Sequence, residues 1–270
     1  MISLLIHCQA ETNGKVPSTN GYRLLSALSH AMASSERPNI FHDTANKLKD
    51  FILSPLLPER CWKDRLACPA ADELKVVRQE EYAFRICFLD DEKALFFRDF
   101  FLGTRFNLAS VDFKATESVE ESHFFRRDSK ESLLALPAAD GTELLLLTPT
   151  GIKSAKSAAS LLLPRPEDIF GNLVYRWKEH FGQALDAELN YDAVSVVEFR
   201  LISRCARLKE NSPLRGCVGT VRYSWKKLSC KQRSVLTALS LFAFYVGVGY
   251  KTTQGLGQIV PKLYYSKNIY

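Results

Sequence analysis

Residues 231–264 read KQRSVLTALSLFAFYVGVGYKTTQGLGQIVPKLY, and their three parts set the architecture around them. Lys231–Val246 is a helix pattern. From Ser234 to Tyr250 it carries no charge, yet it holds Ser, Thr and Tyr and ends in a glycine pair, so it reads as a buried helix and falls short of a membrane span. Leu256–Tyr264 reads as a closing strand. Between them lie two Gly-x-Gly pairs, Gly247 with Gly249 and Gly255 with Gly257, separated by Tyr250-Lys251-Thr252-Thr253-Gln254. Glycine tolerates positive φ and leaves backbone N–H groups uncovered, so a phosphate chain can approach the main chain there, with Lys251 adding charge. The spacing fits neither a Walker loop, because Tyr250 separates Gly249 from Lys251 and a helix precedes it, nor a dinucleotide fingerprint, because Thr252 stands where the third glycine belongs.

Working outward, the same order of elements is legible twice. The later round is a strand at Glu143–Leu147, a helix at Glu167–Phe181 with the stripe Ile169, Phe170, Leu173, Val174, Trp177 and Phe181, strands at Val194–Arg207 and Gly216–Tyr223, then the helix and strand above. The earlier round is a strand at Ile2–Cys8 and a helix carrying Leu24, Leu25, Leu28, Ala31 and Met32 after a Ser-Thr-Asn start. Strands at Phe51–Leu56 and Tyr82–Phe88, a helix at Asp91–Leu102 and a strand at Phe106–Phe113 complete it. Strand, helix, strand, strand, helix, strand is the split βαβ pattern. The expected fold class is therefore α+β, as two tandem ferredoxin-like domains over 1–125 and 140–270, joined within Thr116–Gly141 where the apolar rhythm breaks.

Composition agrees with folded domains. The chain has 270 residues and 46% apolar content, which excludes a disordered or fibrous protein. Seven cysteines with no Cys-x-x-Cys pair argue against a disulfide framework or a zinc ribbon and point to a reducing cytoplasm. Ile2–Ile6 has no basic lead and no cleavage site, so no secretory signal is expected. The net charge of +6 is unevenly spread: from Arg200 to Tyr270 there are thirteen Lys or Arg and one acid, Glu210, while the first 199 residues hold 23 bases and 29 acids. A one-sided basic segment is the electrostatic footprint of a polyanion binder.

The glycine segment resembles the signature loop of the CRISPR repeat-processing endoribonucleases, the sixth CRISPR-associated protein, within the repeat-associated RNA-binding superfamily. Other segments are similar to the family in its order: Phe41-His42-Asp43, Lys49-Asp50-Phe51 with Ser54-Pro55-Leu56, Thr148-Pro149-Thr150 with Pro166-Glu167 and Trp177, and Arg215-Gly216-Cys217-Val218-Gly219 through Tyr223. The resemblance implies tandem ferredoxin-like domains. It also implies metal-independent cleavage of CRISPR precursor RNA within its repeats, in which a 2′-hydroxyl attacks the adjacent phosphate and leaves a 2′,3′-cyclic phosphate. No cofactor is implied. The partners are CRISPR repeat RNA, with other interference-complex proteins and a homodimer as further candidates, and no membrane.

On the same resemblance His42 stands in the family's histidine position as general acid or base, and Lys49 matches the lysine that stabilises charge on the phosphate, with Lys47 as its rival. Some members place a tyrosine in the first helix; this helix offers Ser29, His30 and, earlier, Tyr22, and His30 is the runner-up acid or base. His7, His123 and His180 read as structural. For RNA binding the choices are Gly247, Gly249, Lys251, Gly255 and Gly257, then Arg204, Arg207, Arg215 and Arg222, with Arg200 on the same strand face as Arg204. Arg215–Tyr223 lacks the aromatic and small residues of an RNA-recognition strand. No His, Cys, Asp or Glu cluster at ligand spacing is apparent, so no metal site is expected. Two rival functions remain: an RNA-binding relative without catalysis, and a small-molecule enzyme on the same scaffold, which the basic segment disfavours.

Overall fold

The computed structural model describes residues 1–34, 38–41, 48–65, 71–119, 124–153, 160–161, 163–183, 185, 187–208 and 213–265. They form two compact units. One consists of Met1–Arg127, Ala206–Leu214 and Lys251–Leu256; the other of Asp128–Cys205, Arg215–Tyr250 and Gly257–Tyr270.

In the first unit β1 (Ile2–Ala10), α1 (Gly21–Ala33), β2 (Phe51–Leu53), β3 (Glu81–Phe88), α2 (Asp91–Phe101) and β4 (Val111–Val119) follow one another. The sheet order is β2-β3-β1-β4, with Arg105–Leu108 beyond β4, and each pairing is antiparallel. That order is the ferredoxin-like one, in which each helix crosses from one strand to a second that leaves room between them for a third. Helical spacing buries Leu24, Leu28 and Met32 on α1 and Ala94, Phe97 and Phe101 on α2. Phe97 and Phe101 stack at 5.1 Å, and Phe88 closes on Phe97 at 5.7 Å. The run Ile2–Cys8 is buried throughout, because the short helix Glu59–Lys63 and Phe124 also cover this sheet: Trp62 Nε1 donates to the Ala83 carbonyl at 2.8 Å and its ring meets Phe124 at 5.0 Å.

The second unit repeats the plan with β5 (Gly141–Thr150), α3 (Pro166–Phe181), β6 (Ser195–Arg207), β7 (Pro213–Ser224), α4 (Cys230–Val246) and β8 (Ile259–Tyr264), in the order β6-β7-β5-β8. α3 begins with Pro166, which lacks the N–H a first turn cannot use, and stops at Gly182 in the left-handed conformation. α4 starts on a capping box in which the Ser229 hydroxyl accepts from Gln232 N–H and Gln232 Oε1 accepts from Ser229 N–H. Every residue from Val235 to Val246 is buried, so the uncharged stretch is a core helix. No described helix is long and apolar enough to cross a membrane.

Among the boundaries that differ from the sequence reading, three have a local physical cause. The strand expected at Phe106–Phe113 is a hairpin, Arg105–Leu108 and Val111–Val119, turned at Ala109 and Ser110 with φ of 51° and 69°. The strand expected at Phe51–Leu56 ends at Leu53, where Ser54 turns its hydroxyl to accept from Arg85 N–H at 2.7 Å. The last strand starts at Ile259, because Gly257, with φ of 65°, precedes it.

Candidate active site and nucleic-acid interface

All four loop glycines take left-handed backbone: φ is 69° at Gly247, 85° at Gly249, 97° at Gly255 and 65° at Gly257. Close approach adds a second demand at Gly249, where a Cβ would lie 2.2 Å from the Gly151 carbonyl oxygen. Most of the loop's N–H groups are spent internally: Val248 donates to Gly257 O at 2.9 Å, Tyr250 to Gly151 O at 3.1 Å, Gly257 to Pro149 O at 3.2 Å, and Gln254 to Lys251 O at 2.9 Å. The glycines thus serve geometry first, and the open amide cradle read from the sequence is narrower than expected. What the loop presents outward is Lys251. It is exposed, itself left-handed with φ of 59°, and heads the turn Thr252–Gln254.

Within the first unit that turn is packed onto the start of α1. A Cβ on Gly21 would lie 2.5 Å from Gly255 Cα and 2.6 Å from the Gln254 carbonyl oxygen. Asn20, just before α1, makes no side-chain cap. Instead its buried amide donates to Leu56 O at 2.9 Å and accepts from Leu56 N–H at 2.7 Å, which fixes the segment after Ser54-Pro55. Thr19 donates to the Arg207 carbonyl at 3.3 Å, bringing the exposed Arg207 to the same end of α1. Arg23, exposed in the first turn, adds a further charge that the sequence reading passed over. Lys251, Arg207 and Arg23 therefore share a neighbourhood at a helix N-terminus, where backbone dipoles also favour an anion.

The remaining arginines divide. Arg215 and Arg207 are exposed, and the Arg215 carbonyl accepts from the Tyr250 hydroxyl at 2.6 Å. Arg222 is engaged within the second sheet: it bridges Glu143 at 3.1 Å and Glu198 at 3.3 Å, and lies over the Tyr264 ring at 5.0 Å. Arg200 pairs with Glu198 at 3.2 Å. Arg204 is half-buried on β6, and its Nη1 makes a long bond to Ser203 O at 3.5 Å. Sequence reasoning missed Arg176. It lies on α3 between buried Leu173 and Trp177, and its Nη1 donates to the carbonyls of Val246 and Gly247, the latter at 3.2 Å. Burial pulls its pKa down to about 10, so it stays charged near neutrality and meets the negative end of α4. A charged residue one position from a buried tryptophan was the available signal.

Of the catalytic candidates, His42 lies outside the described residues, as do Asp43 and Lys47. The positions flanking 42–47 are firmly held. Phe41 is buried, its ring 5.1 Å from Phe51 and 5.8 Å from Phe97, and Asp50 accepts from Lys93 while its carbonyl accepts from Leu89 N–H at 2.8 Å. Lys49, between them in sequence, is exposed. His30 is exposed in the last turn of α1, where its carbonyl accepts from Ser34 N–H at 3.1 Å. Ser29 O accepts from Asn39 at 3.2 Å, and Tyr22 is half-buried in the first turn. No ligand spacing in the sequence joins His7, Glu59 and Glu81, yet the fold brings one ligand atom of each within 4.8 Å of the others.

Residues 144–259 match the family model described as CRISPR-associated endoribonuclease Cas6. In fold the chain is similar to Thermus thermophilus Cas6, 22% identical, over 97% of this chain and 98% of that one at a TM-score of 0.71. It is similar to a Cas6 product complex, 18% identical, over 97% and 100% at 0.72. A Cas6-related protein from Pyrococcus furiosus, 13% identical, aligns over 98% and 99% at 0.63. No curated protein matches the chain in sequence. The family model lies on β5 through the start of β8 and takes in the glycine loop, while the Cas6 structures share the fold along nearly the whole chain.

Proposed function

We propose that this chain cleaves CRISPR precursor RNA within its repeats without a metal ion. The observation that carries the reading is the Cas6 family match across the glycine loop, at whose tip the exposed Lys251 joins Arg207 and Arg23 around the start of α1. Among the structures similar in fold, Cas6 is captured with a substrate mimic and with product. In the proposed reaction the 2′-hydroxyl upstream of the scissile phosphate gives up its proton and attacks phosphorus. The 5′-oxygen then leaves with a proton, and the products are a 2′,3′-cyclic phosphate and a 5′-hydroxyl. The nucleophile belongs to the RNA, so the protein supplies alignment, proton transfer and positive charge. His42 moves the proton, Lys49 steadies the phosphate, and His30 is the alternative acid or base.

Labelled repeat RNA incubated with the protein in EDTA is expected to be cut as fast as without chelator. Loss of cleavage, with recovery on adding magnesium, would overturn the metal-independent reading. Binding is expected to depend on the loop charge. Lys251→Gly accepts the left-handed backbone without strain, so the variant should fold normally, bind repeat RNA more weakly, and show a salt slope of log affinity lower by about 0.7 to 0.9. An unchanged slope and affinity would make the loop a connector only.

A further inference from the structure

We propose that His7, Glu59 and Glu81 form a binding site for one first-row divalent metal ion of the zinc class, built from residues that have no part in the proposed RNA cleavage. The three come from separate places in the chain. In the β1–β3 register His7 lies opposite Ala83 and Gln9 opposite Glu81, so with a period of two His7 and Glu81 are diagonal neighbours on one face. Glu59 opens the short helix Glu59–Lys63, which Leu57–Pro58 holds against Ala83 and Tyr82 of β3. One ligand atom from each residue lies within 4.8 Å of the other two.

The imidazole is what separates this cluster from an ordinary acidic patch. The His7 side chain is 7% exposed, and among the described residues neither ring nitrogen has a hydrogen-bond partner. A buried polar ring without partners is costly, and its neutral lone pair is a metal ligand. Nδ1 stands 3.7 Å from Glu59 Oε1, close to the separation of about 3.4 Å between two ligands of a tetrahedral zinc ion. Glu81 is exposed, so a rotation of its side chain can bring the third ligand in. The two carboxylates also attract positive charge. Lys63 Nζ lies 2.8 Å from Glu59 Oε1, on a side chain exposed enough to swing away. One imidazole nitrogen with two carboxylate oxygens suits zinc, cobalt, nickel or manganese better than calcium or magnesium, and it leaves at least one position for water. Such an ion would clamp Glu59–Lys63 to β1 and β3, and the wide sequence separation of its ligands hides it from any spacing rule.

Chelator-stripped protein dialysed against zinc should take up one equivalent per chain and gain roughly 5 °C in thermal midpoint at saturating metal. Glu81→Gln, at an exposed position where folding is safe, should bind zinc at least tenfold more weakly, and His7→Gln should lose the equivalent together with the visible absorption that cobalt gives in the wild type. Two results overturn the site: no stoichiometric zinc in the stripped wild type, or uptake by Glu81→Gln equal to wild type, which would assign the metal to thiols such as the exposed Cys205 or Cys230. Binding is read without RNA, so the outcome is separate from that of the cleavage reading.

Discussion

His42→Ala is expected to slow single-turnover cleavage of a repeat RNA by about a hundredfold or more while leaving its affinity nearly unchanged. The size follows from the role: a positioned acid or base acts on the proton in flight and contributes little to the ground-state complex. Placement rests on the neighbours. Phe41 packs against Phe51 and Phe97, and Asp50 is held through Lys93 and Leu89, next in sequence to Lys49. Lys49→Ala should also slow the chemical step, through lost charge at the phosphate. His30→Ala is the comparison that ranks the two histidines. Wild-type rate in His42→Ala with none in His30→Ala would move the proton transfer to the end of α1.

The second large effect is on stability. At the first position of a helix, glycine to alanine ordinarily stabilises by about 1 kcal/mol. Gly21→Ala should do the reverse and cost about 2–3 kcal/mol, because its Cβ would meet only backbone atoms, Gly255 Cα and N and the Gln254 carbonyl oxygen, all at 2.5–2.6 Å. The turn behind Lys251 has to shift, so RNA affinity should fall with stability. Gly103→Ala is the contrast. Gly103 has φ of 82° but nothing within 4 Å of a Cβ, so only backbone strain of about 1 kcal/mol is expected. Urea unfolding of the two variants measures the difference; a Gly21→Ala protein as stable as wild type would mean that the turn does not sit against α1.

The order of elements was legible because each helix stripe and strand run carried its own period. Leu24, Leu28 and Met32, or Ile169, Phe170, Leu173 and Trp177, announce a buried face whatever they pack against. The turn at Ala109-Ser110 was not legible, since neither residue marks a left-handed turn and apolar residues run through on both sides. Asn20 looked like part of a helix start, yet its side chain serves Leu56, a tertiary demand that local sequence does not carry. Arg222 looked like a ligand for phosphate, and its engagement with Glu143 and Glu198 depends on cross-strand register. The glycine loop was read correctly as glycine-dependent, but for backbone amides that turn out to be largely engaged internally. His42 owed its assignment to the family resemblance alone.

The measurement that bears most directly on the proposed chemistry is single-turnover cleavage of two repeat RNAs, one unmodified and one with a 2′-deoxy sugar at the nucleotide before the scissile bond, in EDTA. Equal binding of both, with cutting of the unmodified RNA alone to a 2′,3′-cyclic phosphate, is the predicted result, because the attacking oxygen belongs to the RNA. Cutting of the deoxy substrate at the wild-type site, or products ending in a 3′-hydroxyl, would contradict the account.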